Sequence, residues 1–237
     1  MKFIKNKKIY YIFITVVIFI FLFTLITMNK PKTYDKNTIR YAVIGDSYSN
    51  GEGATPEESW PSVLTKDLKM KGINIELVSN PSITGWTSKQ AIDQELPEYE
   101  KSSPTFATLL IGVNDWVQGV DATAFRKNLI TLIDRMQSRL PDKSKMIIVT
   151  IPDFSKTPTG NNYSQGRDIS HGILSFNKII MEEAGKRNIT VIDIYPLSQK
   201  VSGDSELVAQ DGLHPSAKEY TLWEQLIYPE VYKILKK

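Results

Sequence analysis

From Ile39 onward, the apolar positions repeat with two different periods. The run that ends at Gly45, and the runs Phe106–Ile111, Met146–Ile151 and Ile189–Ile194, are short, aliphatic and closed by glycine, proline or polar residues. Such runs predict strands covered on both faces. Ile73–Val78 instead alternates apolar with polar residues, which predicts a strand towards the edge of the sheet. Between these runs the spacing changes to three and four. Trp60, Val63, Leu64 and Leu68 predict a helix over Pro56–Lys71, and a second helix follows the turn-rich loop Asn80–Thr87 and reaches about Leu96. Phe125, Leu129, Leu132, Ile133, Met136 and Leu140 mark a long amphipathic helix, and Ile169, Ile173, Phe176, Asn177, Ile180 and Ala184 another. Asp153–Gln165, rich in turn formers, reads as a loop over the sheet. A last helical region begins near Ser216 and is interrupted or ended around Pro229.

This β-α alternation, with about five strands and no internal repeat, implies a parallel sheet with helices on both faces and right-handed crossovers. The loops after Gly45, Val78, Ile111, Ile151 and Ile194 then gather at the carboxyl edge of the sheet, where open α/β sheets place their ligands.

The pattern before residue 39 is of another kind. Lys2, Lys5, Lys7 and Lys8 lie in a basic tail over 1–8, followed by the uncharged apolar run Ile9–Met28. About twenty such residues suffice to cross a bilayer as a helix. The lysines favour a cytoplasmic N-terminus; Lys30, Lys32 and Lys36 weaken that bias without reversing it. A cleaved signal peptide, and hence secretion, has the same charge order. However, the run ends Leu-Ile-Thr-Met-Asn-Lys, with no small-residue cleavage site. The expectation is a single-pass anchor in a cell membrane, a linker over 29–38, and an extracytoplasmic domain over 39–237.

Composition narrows the chemistry. The net charge of +3 is concentrated towards the N-terminus, and no basic stripe is interleaved with aromatics, so nucleic acid is not an expected partner. With no cysteine, disulfides, thiolate metal sites and a cysteine nucleophile are excluded. With only His171 and His214, a multi-histidine metal centre is not expected. His171 falls within a helical pattern and reads as structural.

The predicted edge loops contain Ser47, Gly85, Asn114, Asp211 and His214. Serine-based acyl transfer needs a base for the hydroxyl proton, a carboxylate to orient that base, and donors aimed at the developing oxyanion. His214 follows the last strand in Asp-Gly-Leu-His-Pro-Ser, and Asp211 reaches back to its imidazole if Gly212-Leu213 makes a tight turn. Asn114 offers an amide, and Ser47 and Gly85 offer backbone N–H groups. Read one at a time, each also fits a plain turn, a cap or a solvated loop. Asp46 and Asp115 read as turn-capping carboxylates, and Glu52 as either a substrate contact or a solvated loop residue. Trp86 and Trp116 are candidates for an apolar or sugar-stacking wall, and Pro158–Gln165 for a covering loop.

Taken together, Gly45-Asp46-Ser47-Tyr48-Ser49, Ile-Thr-Gly85-Trp-Thr, Gly112-Val113-Asn114-Asp115 and Asp211-Gly212-Leu213-His214-Pro215 resemble, in order, the four sequence blocks of the SGNH (GDSL) hydrolases. The resemblance runs from Arg40 to the C-terminus. It implies a flavodoxin-like α/β/α sandwich without metal or organic cofactor. It also implies Ser47 as nucleophile, His214 as base, Asp211 as its orienting carboxylate, and Ser47, Gly85 and Asn114 as the oxyanion hole. The Gly-x-Ser-x-Gly elbow of the α/β-hydrolases is absent. The expected activity is hydrolysis of an acyl ester, short-chain or acetyl, on an envelope glycan, a lipid or a small molecule. The alternatives are an acyltransferase to envelope glycans using the same residues, or a non-catalytic glycan- or lipid-binding module.

Overall fold

The computed structural model describes residues 34–236, together with Tyr11. The chain divides into two units, Met1–Lys36 and Asn37–Lys237, and the architecture below is that of the second. The basic tail, the expected span at 9–28 (Tyr11 apart) and the first part of the linker lie outside the described residues. Among the described residues no helix is long and apolar enough to cross a membrane.

The described residues form five strands in one parallel sheet: β1 (Ile39–Gly45), β2 (Ile75–Ser79), β3 (Phe106–Leu110), β4 (Met146–Val149) and β5 (Thr190–Ile192). Their order is β2-β1-β3-β4-β5. The chain leaves β1 towards β2 and then returns past it to β3, so the switch point of the sheet falls between β1 and β3. β3 and β4 are buried along their whole length, as is β1 over its last five residues. The alternating β2 is at one edge, with only Ile75 fully covered. β5, at the other edge, is shorter than the expected Ile189–Ile194. Beyond it the Thr150 hydroxyl donates to Asp193 and accepts the Ile194 N–H, replacing the backbone ladder.

The helices are α1 (Ser47–Asn50), α2 (Trp60–Met70), α3 (Ser88–Gln90), α4 (Leu96–Lys101), α5 (Val113–Val117), α6 (Ala122–Arg139), α7 (Ile169–Gly185), α8 (Tyr195–Ser198) and α9 (Ala217–Leu235). α2 packs against α9, while α4 and α7 each pack against α6. With right-handed crossovers these two groups cover opposite faces of the sheet. α6 and α7 bury the stripes predicted for them, and Phe125 stacks on Phe176 with ring centroids 4.4 Å apart. Asn177 of α7 extends the reach of β4: its amide accepts the Ile151 N–H and donates to the Ile151 carbonyl, each at 2.8 Å.

The helix expected over Pro56–Lys71 begins at Trp60, after a 3-10 turn at Pro56–Glu58, and two helix ends differ from expectation at prolines. The helix after the Asn80–Thr87 loop does not stop near Leu96. A π turn over Ala91–Glu95 joins α3 to α4, with the Leu96 N–H bonded to the Ala91 carbonyl, and Pro97 falls in the first turn of α4. The terminal helix does not end at Pro229 either; α9 continues to Leu235. Ile227 and Val231 are completely buried on either side of the proline, and their burial offsets the ~3 kcal/mol that an interior proline costs.

Candidate active site

β1 ends where the backbone turns back on itself. A Cβ at Gly45 would lie 2.2 Å from Ser49 Oγ and 2.7 Å from the Leu110 carbonyl oxygen, so only glycine lets α1 start this close to the strand. Asp46 is the N-cap of α1, and its Oδ1 accepts the Tyr48 N–H at 3.1 Å. Ser47 is the first residue of that helix. Its N–H therefore has no carbonyl within the helix to bond. Behind it, the Tyr48 ring meets Trp223 edge-on at 5.6 Å and His214 at 6.1 Å.

The Asp211–His214 segment is a closed turn. The Ala209 N–H donates to the His214 carbonyl at 2.8 Å, the Gly212 N–H to the Ala209 carbonyl at 3.0 Å, and Val208 bridges Pro215. Within it, Asp211 Oδ1 accepts the N–H groups of Leu213 (2.8 Å) and His214 (3.0 Å), while Oδ2 stands 2.6 Å from His214 Nδ1. Burial alone would raise the Asp211 carboxyl. The His214 ring and these two N–H groups outweigh it and hold the carboxyl below its ordinary range. An ionised Asp211 requires a proton on Nδ1, leaving Nε2 as the acceptor.

α5 carries Asn114 and Asp115 and fastens the loop that contains Gly85. Gly112, its N-cap, adopts φ 126° and lies so close to Phe125 that a Cβ would meet the ring at 2.7 Å. Asn114 Nδ2 donates to the Trp86 carbonyl at 3.0 Å, and Gln118 Nε2 to the Gly85 carbonyl at 3.0 Å. Asp115 is buried and accepts both the N–H and the hydroxyl of Ser88, whose oxygen also accepts from Asn128. Burial raises the Asp115 carboxyl, and the Ser88 donors oppose the rise. Its role is that of a clamp on the end of the loop. Glu52 also acts as a tie, its Oε2 accepting the Thr84 hydroxyl at 2.7 Å.

Ser47, Asn114 and His214 line one cleft of ≈ 90 Å³, together with Tyr48, Val113, Val117, Phe154, Tyr163 and Leu213. Gly85, on the strapped loop beside it, is exposed and is not among the lining residues. Trp86 is half-buried and does not line the cleft. Trp116 corrects an expectation. It is 6% exposed, packed edge-on against Phe154 and covered by the Arg167 guanidinium 4.0 Å from its ring, so it belongs to the core and not to a binding wall. His171 is exposed on α7. The Pro158–Gln165 segment does reach the cleft. Thr159 binds the Gly212 carbonyl through both its N–H (2.9 Å) and its hydroxyl (3.0 Å), and Tyr163 stands at the rim.

The wall residues Phe154 and Tyr163 escaped the sequence reading because each comes from a loop whose path over the sheet is set by distant partners. The sequence signalled the loop and not the residues: Asp153–Gln165 reads as lying over the sheet and Pro158–Gln165, which holds Tyr163, as a covering loop. A larger open groove of ≈ 460 Å³ runs along α2 and β2, but its lining holds no serine–histidine pair. Among the described residues no group of three or more His, Cys, Asp or Glu side chains is placed to hold a metal ion.

Comparison with known proteins places these features in a wider context. Residues 43–222 match the family described as GDSL-like Lipase/Acylhydrolase family. An arylesterase of Vibrio mimicus is 24% identical over 193 residues, 81% of this chain and 88% of the relative. A lipase/acylhydrolase from Enterococcus faecalis superposes with a TM-score of 0.68 at 23% identity, over 82% of this chain and 96% of that one. A family 3 carbohydrate esterase from Clostridium thermocellum gives a TM-score of 0.67 at 20% identity, over 84% and 98%. At such identities the superpositions speak for a shared fold.

Proposed function

The chain belongs to the GDSL-like lipase/acylhydrolase family and is a carboxylic ester hydrolase; on that premise we propose that it cleaves a short acyl ester with Ser47 as nucleophile, His214 as base and Asp211 as the carboxylate that orients it. The observation that carries this reading is the Asp211–His214 pair, 2.6 Å apart, with His214 sharing one small cleft with Ser47.

In this mechanism His214 Nε2 takes the Ser47 proton as Oγ attacks the ester carbonyl. Negative charge develops on the carbonyl oxygen and is met by the Ser47 N–H, the Gly85 N–H and the amide of Asn114. Asn114 suits this role because its bond to the Trp86 carbonyl uses one amide hydrogen and leaves the other, in a fixed orientation. The alcohol leaves with the proton from His214, and water then repeats the sequence on the acyl-enzyme to release the acid.

The size of the cleft supports the short acyl group. A cleft of ≈ 90 Å³ walled by Val113, Val117, Phe154 and Leu213 falls well below the roughly 300–1,000 Å³ of sites that enclose larger ligands. Aryl esters from acetyl to octanoyl test this reading. The expected kcat/KM is highest for acetyl or propionyl, and a maximum at octanoyl would contradict it.

The proposal includes location. The lysine-flanked apolar run at 9–28 supports a single-pass anchor with the hydrolase outside. Full-length protein is then expected to stay with membranes through alkaline carbonate washing; its release would exclude the anchor.

A further inference from the structure

The segment 157–167 is a strap tied at its two ends to two walls of the cleft. At one end Thr159 donates twice to the Gly212 carbonyl, from its N–H at 2.9 Å and from its hydroxyl at 3.0 Å. Gly212 stands at φ 72°, and a Cβ on it would meet Thr159 Cγ2 at 3.0 Å, so the two chains are packed as well as bonded. At the other end Gln165 Nε2 donates to the Val117 carbonyl at 3.2 Å. The Arg167 guanidinium donates there to the carbonyls of Trp116 (2.7 Å) and Val117 (3.0 Å). The first tie is to the turn that carries His214, the second to the helix that carries Asn114. Between them, on the 3-10 turn Gly160–Tyr163, the Tyr163 ring lines the cleft and is still 42% exposed.

The part of an ester that meets such a ring is the alcohol. A cleft of ≈ 90 Å³ with apolar walls takes a short acyl group and little more, so the rest of the substrate lies at the mouth. His214 hands the leaving alcohol its proton, and the strap is bonded to the same turn. A group resting on the strap therefore keeps its register with the proton donor.

Charge narrows that alcohol. Neither 80–87, which holds Gly85, nor 157–166 contains a charged residue, although 23% of the chain is charged. No lysine or arginine lines the cleft. Lys156, just before the strap, is half-buried, and Arg167 is committed to two carbonyls and to the Trp116 ring. The charged groups bonded beside the cleft, Asp211 on His214 and Glu52 on Thr84, are acids. An anionic alcohol meets like charge here without a compensating cation. A neutral pyranose fits better: its weakly positive C–H face lies against the negative face of an aromatic ring, while its hydroxyls stay in water.

We propose that Tyr163 is the platform for the alcohol half of the ester, and that this alcohol is a neutral sugar ring. The inference rests on the reading of Ser47 and His214 given above. The strap supplies the rigidity that an exposed side chain lacks by itself, and the ring selects by shape.

The test holds the acyl group constant and varies the alcohol. Three acetates are compared: methyl 6-O-acetyl-β-D-glucopyranoside, butyl acetate and 1-acetyl-glycerol 3-phosphate. In the wild type kcat/KM is expected to be highest for the glucoside and lowest for the phosphate. Tyr163→Ala is expected to lower the glucoside-to-butyl ratio of kcat/KM about fivefold to tenfold, the scale of one aromatic contact, and Tyr163→Phe is expected to keep it. Taking the ratio cancels any general loss of activity, and near-UV circular dichroism confirms folding. A ratio unmoved in Tyr163→Ala, a fall as large in Tyr163→Phe, or a phosphate ester cleaved faster than the glucoside would overturn the proposal. So would a change in the acetyl-to-octanoyl preference of Tyr163→Ala in place of the change in alcohol, because the ring would then belong to the acyl side. Aryl acetate hydrolysis and its loss in Ser47→Ala are measured alongside. If Ser47→Ala retains that activity, the catalytic reading fails and this inference falls with it; if the activity is lost there but the glucoside-to-butyl ratio of the wild type is below one, only the sugar platform fails.

Discussion

Replacing Asp211 by Asn probes how the imidazole is held. The substitution spares the turn, because the Asn oxygen still accepts the Leu213 and His214 N–H groups now bound at 2.8 and 3.0 Å. It changes only the atom that faces His214 Nδ1 across 2.6 Å. Two effects combine. For unit charges about 4 Å apart, the attraction lost when His214 becomes an imidazolium is about 4 kcal/mol at an effective dielectric of about 20, and about 1 kcal/mol in bulk water. The Asp211 side chain is 42% exposed and that of His214 14%, so solvent screens part of it. A value of about 2 kcal/mol is appropriate, or roughly thirtyfold in rate. The second effect is tautomeric. An amide N–H set against Nδ1 favours the ring with its proton on Nε2, which cannot accept from Ser47. In a serine protease the same exchange lowers kcat about 10⁴-fold, at a buried aspartate. With a half-exposed aspartate, the combined loss in kcat is expected to be about 10²–10³-fold, with KM little changed. Steady-state hydrolysis of an aryl acetate at neutral pH, with near-UV circular dichroism to confirm folding, measures it. An unchanged kcat in folded Asp211→Asn would refute the claim that Asp211 sets the tautomer.

Other substitutions test other parts of the account. Asn114→Ala is expected to lower kcat by about 10²–10³ if its amide meets the oxyanion; an unaltered kcat in the folded variant removes it from the mechanism. Val117→Ala, which widens the cleft at one wall, is expected to move the best aryl ester towards longer acyl chains, and an unmoved preference would mean that this wall does not set acyl length. Glu183 is an ion-pair hub, 2% exposed at its side chain, joined to Arg126, Lys186 and Arg187. Burial would raise its carboxyl, but hydrogen bonds from these three cations hold it at about 2. The stabilisation is present above the ordinary carboxylate range and is lost as pH falls from about 4.3 towards 2. Because Arg126, Lys186 and Arg187 are 33%, 62% and 20% exposed, Glu183→Gln is expected to cost about 2 kcal/mol at pH 7, below the figure for a fully buried pair. In urea denaturation the gap to wild type closes as pH approaches 2; a gap independent of pH would refute the linkage.

Much of this architecture was legible along the chain because local period and tertiary burial agree. The alternating Ile73–Val78 became the edge strand β2, and the stripes from Phe125 and Ile169 became the buried faces of α6 and α7. The four motif blocks were legible for a related reason. The first three lie at or soon after the ends of β1, β2 and β3, so a parallel sheet carries them to one edge; the Asp211–Pro215 block comes well after β5, and its closed turn brings His214 to the same cleft. What escaped depends on partners far away in sequence. Pro229 reads as a break, yet the buried Ile227 and Val231 keep α9 helical through it. Trp116 directly follows a motif block, and nothing local says that Phe154 and Arg167 enclose it. Glu95 reads as one more charged helical residue; only the π turn and the approach of Gly45 from 50 positions earlier show that it is buried behind Ser47.

In the proposed mechanism one serine hydroxyl, activated by a histidine in a closed turn, does the chemistry. The direct measurement is hydrolysis of an aryl acetate by the domain from residue 37 onward, with Ser47→Ala assayed beside it at equal concentration. Turnover is expected from the wild type and none above background from the folded variant, and a serine-directed phosphonate is expected to label only the wild type. Equal turnover by both proteins, or labelling that persists in Ser47→Ala, would contradict it.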